Sequence, residues 1–154
     1  VIVNVQGDEP LVPPAVIDQV ASILVASGAR MSSLYETIED MDDAISPNVV
    51  KVVTNDQDEA LYFSRAPIPF DRDESRETIG RYKRHLGIYA YRVSLLDDFV
   101  GWPQSMPERT EKLEQLRAMA HGVTIQMAGS IEKIPPGVDT PADLQRVREE
   151  VNSG

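Results

Sequence analysis

A chain of 154 residues, 42% hydrophobic and 26% charged, is long enough to bury one sizeable core and has the composition of an ordinary soluble domain. Its formal net charge of −10 argues against nucleic acid as a partner, because phosphate binding needs clustered Lys and Arg, and no apolar run reaches the roughly 18 residues of a membrane span. The absence of cysteine excludes disulfides, thiolate zinc sites and thiol catalysis, and suits a reducing cytoplasm.

The β-branched run Val1–Val5 reads as a buried parallel strand, closed by the polar turn Gln6-Gly7-Asp8-Glu9-Pro10. Residues 14–27 read as a helix, with Val16, Ile17, Val20, Ile23 and Leu24 on one apolar face and Gly28 as its stop. A strand over 31–38 and a short helix over 40–45 follow. Residues 49–54 and 61–65 read as a hairpin around the polar turn 55–59. Pro67, Pro69 and the charged stretch 71–77 make a long loop, the best candidate for a lid. Beyond it come a strand over 84–91, a short helix over 94–100 capped by Ser94, a helix over 111–121, a strand over 123–128 and a closing helix over 141–151. Alternating strands and helices predict a single α/β domain with a three-layer, mostly parallel Rossmann-like sheet, and the hairpin an antiparallel extension beside it.

Carboxylates that follow a strand in an open α/β sheet sit where such folds bind ligands, so Asp8 is a candidate metal ligand; a solvated turn accounts for it equally well. In Gly137-Val138-Asp139-Thr140-Pro141-Ala142-Asp143, helix capping explains Thr140, Pro141 and Asp143 but not Asp139. A second carboxylate there could close with Asp8 on one Mg²⁺, a hard cation that takes oxygen ligands alongside substrate phosphates. Asp71 and Asp73 form a DxD pair in a charged loop after two prolines and read as solvated. Met106, Met119, Met127 and Trp102 read as core or interface filler. His121 reads as a helix-end residue. No nucleophile with a positioned base is apparent.

The blocks VNVQGDEP (3–10), VVKVV (49–53), ALYFSRAPIP (60–69), RHLGIYAYR (84–92), LEQLR (113–117) and GVDTPADL (137–144) occur in the order found in the 3-deoxy-manno-octulosonate (Kdo) cytidylyltransferases, and the chain resembles the carboxyl-terminal two-thirds of that family. Connecting segments such as 71–83 and 127–136 depart from the family pattern. The resemblance implies transfer of CMP from CTP to the anomeric hydroxyl of Kdo, with Mg²⁺ as cofactor, for lipopolysaccharide biosynthesis. It also implies a homodimer formed through the segment 49–92. The family's first strands and its triphosphate loop are expected to be missing here, since no GxxxxGK[ST] or GxGxxG occurs, and the chain alone is expected to be inactive.

By the same resemblance Asp8 and Asp139 are catalytic and hold the metal, while Gln6, Arg65, His85, Tyr89, Glu114 and Gln115 bind the sugar. The residues themselves leave these roles open. A guanidinium at the end of a strand suits a carboxylate, but a lone arginine such as Arg65 more often pairs with a surface acid. His85 and Tyr89, four apart on a strand, face one side with Gly87 opening a slot between them, or simply pack together. Glu114 and Gln115 suit a solvated helix surface as well. A CMP-sialic-acid-type or Kdo-analogue cytidylyltransferase, and a non-catalytic module that binds acidic sugars, are the alternative functions.

Overall fold

The computed structural model of the protein describes residues 1–7, 9–73, 80–135, 137–138 and 141–153. In chain order the elements are β1 (Ile2–Asn4), α1 (Pro14–Ser27), β2 (Met31–Thr37), α2 (Met41–Ile45), β3 (Lys51–Thr54), β4 (Ala60–Ser64), β5 (Lys83–Tyr91), α3 (Val93–Phe99), α4 (Met106–Glu111), α5 (Gln115–Ala120), β6 (Ile125–Gly129) and α6 (Pro141–Ser153). Helix α1 starts where Pro14 costs no hydrogen bond, and it ends at Gly28, whose φ of 71° supplies the left-handed cap. Its buried Val16, Val20 and Leu24 recur every four residues, one face of a helix.

The strands form a six-stranded sheet in the order β4-β3-β5-β2-β6, and β1 joins the edge of β5 that β3 also uses. The α/β reading holds, but the ladders are not mostly parallel. Among the described pairings only β2–β6 is parallel; β1–β5, β2–β5, β3–β5 and β3–β4 are antiparallel. Strands β1, β2, β3 and β6 do run in one direction, as helix-linked strands tend to, but β5 lies among them and runs against them. The inserted strand therefore makes all three of its own contacts, with β1, β2 and β3, antiparallel.

Three layers result. On one side α1 packs through Val16, Val20 and Leu24 against Leu34, Leu86, Ile88 and Ala90. On the other, Leu95, Leu113, Leu116 and Ala118 from the α3–α5 region cover Met31, Tyr89, Ile125 and Met127, together with Val52 and Phe63 of the hairpin. The hairpin is not simply an extension beside the sheet. Asn55 Oδ1 accepts the backbone N–H groups of Gln57 and Glu59 at 3.0 and 2.8 Å, shaping the turn. The carbonyl of Asp58 in that turn then receives the N–H of Met127 at 2.7 Å, and Gln126 Nε2 donates to the Gln57 carbonyl at 2.9 Å. The hairpin tip thus reaches the far edge strand β6 and occupies hydrogen-bonding groups that an open edge would expose.

The helix expected over 111–121 is two helices. Lys112 has φ 56°, so α4 ends there, and the chain restarts as α5 at Gln115. Helix α4 opens with a capping box, Ser105 Oγ accepting from Glu108 N and Glu108 Oε2 from Ser105 N. Ser94 is not a cap: α3 begins at Val93 with Arg92 in the N-cap position and no side-chain capping bond. Met127 is buried, but Met106 is 66% exposed rather than core. The lid expected over 71–77 falls largely on residues 74–79, outside the described residues.

Left-handed backbone at a non-glycine costs roughly 1–2 kcal/mol. Lys112→Gly should therefore stabilise the fold, by about 0.5 kcal/mol once the greater freedom of glycine in the unfolded chain is subtracted. The measurement is the urea midpoint at constant m, and an unchanged or lower midpoint contradicts the strain at Lys112.

Candidate functional site

The face of β5 opposite α1 carries His85, Gly87, Tyr89 and Tyr91. Between Ser33 and Leu34 the register with β2 jumps, so that Ser33 faces Tyr89 and Leu34 faces Leu86. Two residues of β5 are left over, an even number, and the alternation of faces survives the bulge. The Ser33 hydroxyl fills the gap, 2.8 Å from the Ile88 carbonyl, 3.2 Å from the Leu86 carbonyl and 3.0 Å from His85 Nε2. A hydroxyl has one hydrogen, and two carbonyls compete for it. The third contact is then Ser33 Oγ accepting from His85 Nε2–H, which fixes the tautomer of a neutral imidazole. The His85 ring lies edge-on to Phe63 at 4.9 Å and 5.3 Å from the Tyr89 ring, which stacks on Tyr91 at 5.8 Å. Burial depresses the pKa of His85 to about 3.

Gly87 opens no empty slot. A Cβ built there would lie 3.2 Å from Gln6 Nε2, so the Gln6 amide itself rests on the glycine. Above this floor is a cavity of about 1000 Å³, and its lining includes Gln6, Arg65, His85, Tyr89, Glu114 and Gln115. The structure thus brings together every one of the six residues expected to bind the sugar. Gln115 is buried rather than solvated, whereas the Glu114 side chain is 74% exposed and lies 3.9 Å from Arg117. Burial, then the nearby Glu114 carboxylate, pushes the Tyr91 hydroxyl up to about 12, against a hydrogen bond from Asn4. Tyr89 is raised by burial first as well.

Arg65 has no carboxylate partner for its guanidinium among the described residues. It is held by backbone carbonyls: Nε–H donates to Glu111 O at 2.8 Å and Nη1–H to Pro47 O at 2.9 Å. The Glu111 carboxylate is occupied by the hairpin end, accepting from Ser64 Oγ at 2.6 Å and from the Arg65 backbone N–H at 3.0 Å. Beneath lies Lys51, fully buried, whose Nζ donates to the carbonyls of Ser46, Val49 and Arg65 at 2.8, 2.5 and 2.7 Å. Ser33, Lys51 and Glu111 escaped the sequence reading. Lys51 sits in an apolar strand block with nothing to mark its ammonium as buried, and Glu111 was assigned only to a helix start.

Asp8 and Asp139 lie outside the described residues. Their neighbours Glu9 and Gly137 both line the cavity, from opposite ends of the chain. Among the described residues no group of three or more His, Cys, Asp or Glu is placed to hold a metal ion. Asp71 and Asp73 form a local turn, the Asp73 N–H donating to Asp71 Oδ1 at 3.2 Å. His121 ends α5 with its ring stacked on Trp102 at 4.3 Å. No described helix is long and apolar enough to cross a membrane.

A sequence profile of the family described as cytidylyltransferase matches residues 1–128, and the chain belongs to that family. It is 51% identical to the 3-deoxy-manno-octulosonate cytidylyltransferase of Alcanivorax borkumensis, aligned over 98% of this chain and 62% of that protein. It is 55% identical to the enzyme of the same name from Pseudomonas fluorescens, over 96% of this chain and 61% of the relative. Its fold matches the structure of CMP:2-keto-3-deoxy-manno-octonic acid synthetase complexed with CTP, with a TM-score of 0.86 at 39% identity, over 98% of this chain and 61% of that one. The chain thus spans about three-fifths of the length of the relatives it matches.

The depressed pKa of His85 has a consequence for stability. Between its ordinary value of 6.5 and about 3 the unfolded chain binds a proton that the folded chain refuses, so stability rises with pH through that window and falls on acidification. The ceiling is about 1.4 kcal/mol per pH unit, and the side of the ring that meets the cavity keeps the slope below it. His85→Gln should remove this part of the pH dependence. Urea unfolding of both proteins from about pH 6.5 down to pH 4 tests it, and parallel curves would show that His85 titrates normally.

Proposed function

We propose that this chain carries the acidic-sugar side of a cytidylyltransferase site that moves CMP from CTP to the anomeric hydroxyl of Kdo, releasing pyrophosphate. The observation that carries this reading is Arg65, a guanidinium lining a polar cavity and tethered by carbonyls rather than by a protein carboxylate. The names of the relatives supply the substrate. Kdo offers one carboxylate for Arg65 and several hydroxyls, which suit the mixed donors and acceptors of Gln6, His85, Tyr89, Glu114 and Gln115.

In the reaction the anomeric oxygen attacks the α-phosphorus of CTP. An O–P bond forms as the bond to the pyrophosphate oxygen breaks, and the hydroxyl proton passes to solvent or a nearby base. Positioning and charge neutralisation dominate such transfers. Arg65 fixes the sugar by its carboxylate, the neutral His85 and the tyrosines sort its hydroxyls, and Tyr89 and Tyr91 stay protonated throughout the physiological range. Asp8 and Asp139 are the proposed ligands of Mg²⁺, a reading supported by Glu9 and Gly137 lining one cavity. Bound there, the ion would neutralise phosphate charge and acidify the attacking hydroxyl. A homodimer through the hairpin is supported by Leu61, 56% exposed on β4, and Phe70, 81% exposed just beyond it. The setting is the cytoplasm, where CTP is available.

In the full-length protein Arg65→Lys should raise KM for Kdo by about 1–2 kcal/mol, leaving KM for CTP unchanged, because Lys keeps the charge but loses the planar fork. A fall in CTP affinity instead would assign Arg65 to the nucleotide.

Asp8→Asn and Asp139→Asn should each depress kcat strongly, and the double variant should lose little more, since ligands of one ion act as a unit. Steady-state kinetics of the three variants decide this; additive losses would mean separate roles.

A further inference from the structure

We infer that Lys51 is a positioning residue that aims the Arg65 guanidinium at the sugar carboxylate. The inference rests on the proposed acidic-sugar site and deepens it. The Lys51 ammonium is sealed from solvent, and its three N–H groups match three carbonyls, those of Ser46, Val49 and Arg65. Full satisfaction of this kind is what makes a buried cation tolerable, and it fixes each partner in return. Two of the partners, Ser46 and Val49, bracket Pro47, whose carbonyl holds Arg65 Nη1 at 2.9 Å. The third is the backbone of Arg65 itself. Lys51 therefore holds the arginine from below and also the loop that clamps its side chain.

The second clamp is the Glu111 carbonyl at the end of α4, which takes Nε–H at 2.8 Å, and the Glu111 carboxylate ties the same helix end to Ser64 and Arg65. With Nε and one N–H of Nη1 committed, the donors left for a ligand are Nη2 and the other N–H of Nη1. A carboxylate is accordingly met end-on by the two terminal nitrogens, a bidentate geometry that fails if the fork rotates. Burial lowers the pKa of Lys51, as does neighbouring Arg65, while Glu111 opposes the shift. The Glu111 carboxylate, close enough to act on Lys51 and bonded to the Arg65 backbone N–H, is thus part of the same assembly.

The test compares Kdo with its carboxamide, which lacks the charge but keeps the hydroxyls, in steady-state assays of the full-length protein. Lys51→Met should raise KM for Kdo about tenfold or more and shrink the wild-type preference for acid over amide, with KM for CTP within about twofold. A purely structural lesion would lower the active fraction, and with it apparent kcat, without touching the acid-to-amide ratio. Pro47→Gly, at an exposed position, loosens the loop that Lys51 holds while keeping the lysine itself, and should shift the ratio in the same direction, so it decides the matter if Lys51→Met does not fold. A preserved ratio in folded Lys51→Met, or in Pro47→Gly where that variant decides, overturns the inference. A wild-type protein with no preference for the acid overturns the proposed site instead.

Discussion

Strand β5 is the constraint on which the other elements depend. It is bonded to β2 along one edge and to both β1 and β3 along the other. Because β1 takes residues 89–91 and β3 meets it at Arg84, a length of that edge around Gly87 has no strand beside it among the described residues. The Gln6 amide lies there, over the one residue in the stretch without a side chain. A two-residue bulge on the opposite edge would ordinarily leave carbonyls unsatisfied at considerable cost, of the order of 1–3 kcal/mol each. Ser33 offers its one hydroxyl hydrogen to the two carbonyls, the nearer at 2.8 Å, and in the same arrangement sets the tautomer of His85. Backbone irregularity and side-chain chemistry are thus one feature: the bulge that shapes the cavity floor also orients the imidazole on it.

How much of this was legible in the sequence varies with the range of the interaction involved. Helix α1 was readable to the residue because its periodicity, its proline start and its glycine stop are local. The break at Lys112 was not, since a lysine carries no mark of positive φ; the tertiary fit of α4 and α5, with Arg117 reaching back to Glu108 at 2.6 Å, enforces it. The start of α4 could have been found from Ser105-x-x-Glu108, a spacing that signals a capping box. The order of the strands was out of reach. Helix-linked strands of like direction predicted parallel neighbours, and nothing local says that β5 will insert between β1 and β2.

The site shows the same division. Gln6, Arg65, His85, Tyr89, Glu114 and Gln115 were named through a family resemblance, and the fold gathers all six around one cavity. The residues that hold them in place, Ser33, Lys51 and Glu111, were not named. A supporting residue is recognisable only by what it touches, and its partners here are mostly backbone carbonyls, which no side-chain pattern records. Lys51 between valines looks like the polar face of an alternating strand; only the closure of the 46–49 loop and the end of β4 over its ammonium makes it an interior residue.

The arrangement also resolves a conflict in the charge balance. A chain of net charge −10 is a poor match for the proposed anionic sugar if charge is averaged over its surface. Recognition depends on the local field, and there the buried Lys51 and the cavity-lining Arg65 and Lys112 stand close behind the site. A cation removed from water is screened less than one on the surface, so Lys51 acts on its surroundings out of proportion to a single charge. The Glu111 carboxylate offsets part of that charge, but it is engaged with Ser64 and the Arg65 backbone rather than with the guanidinium fork. The guanidinium fork is thus left facing the cavity without a protein carboxylate among the described residues, a positive point that suits the proposed acidic sugar.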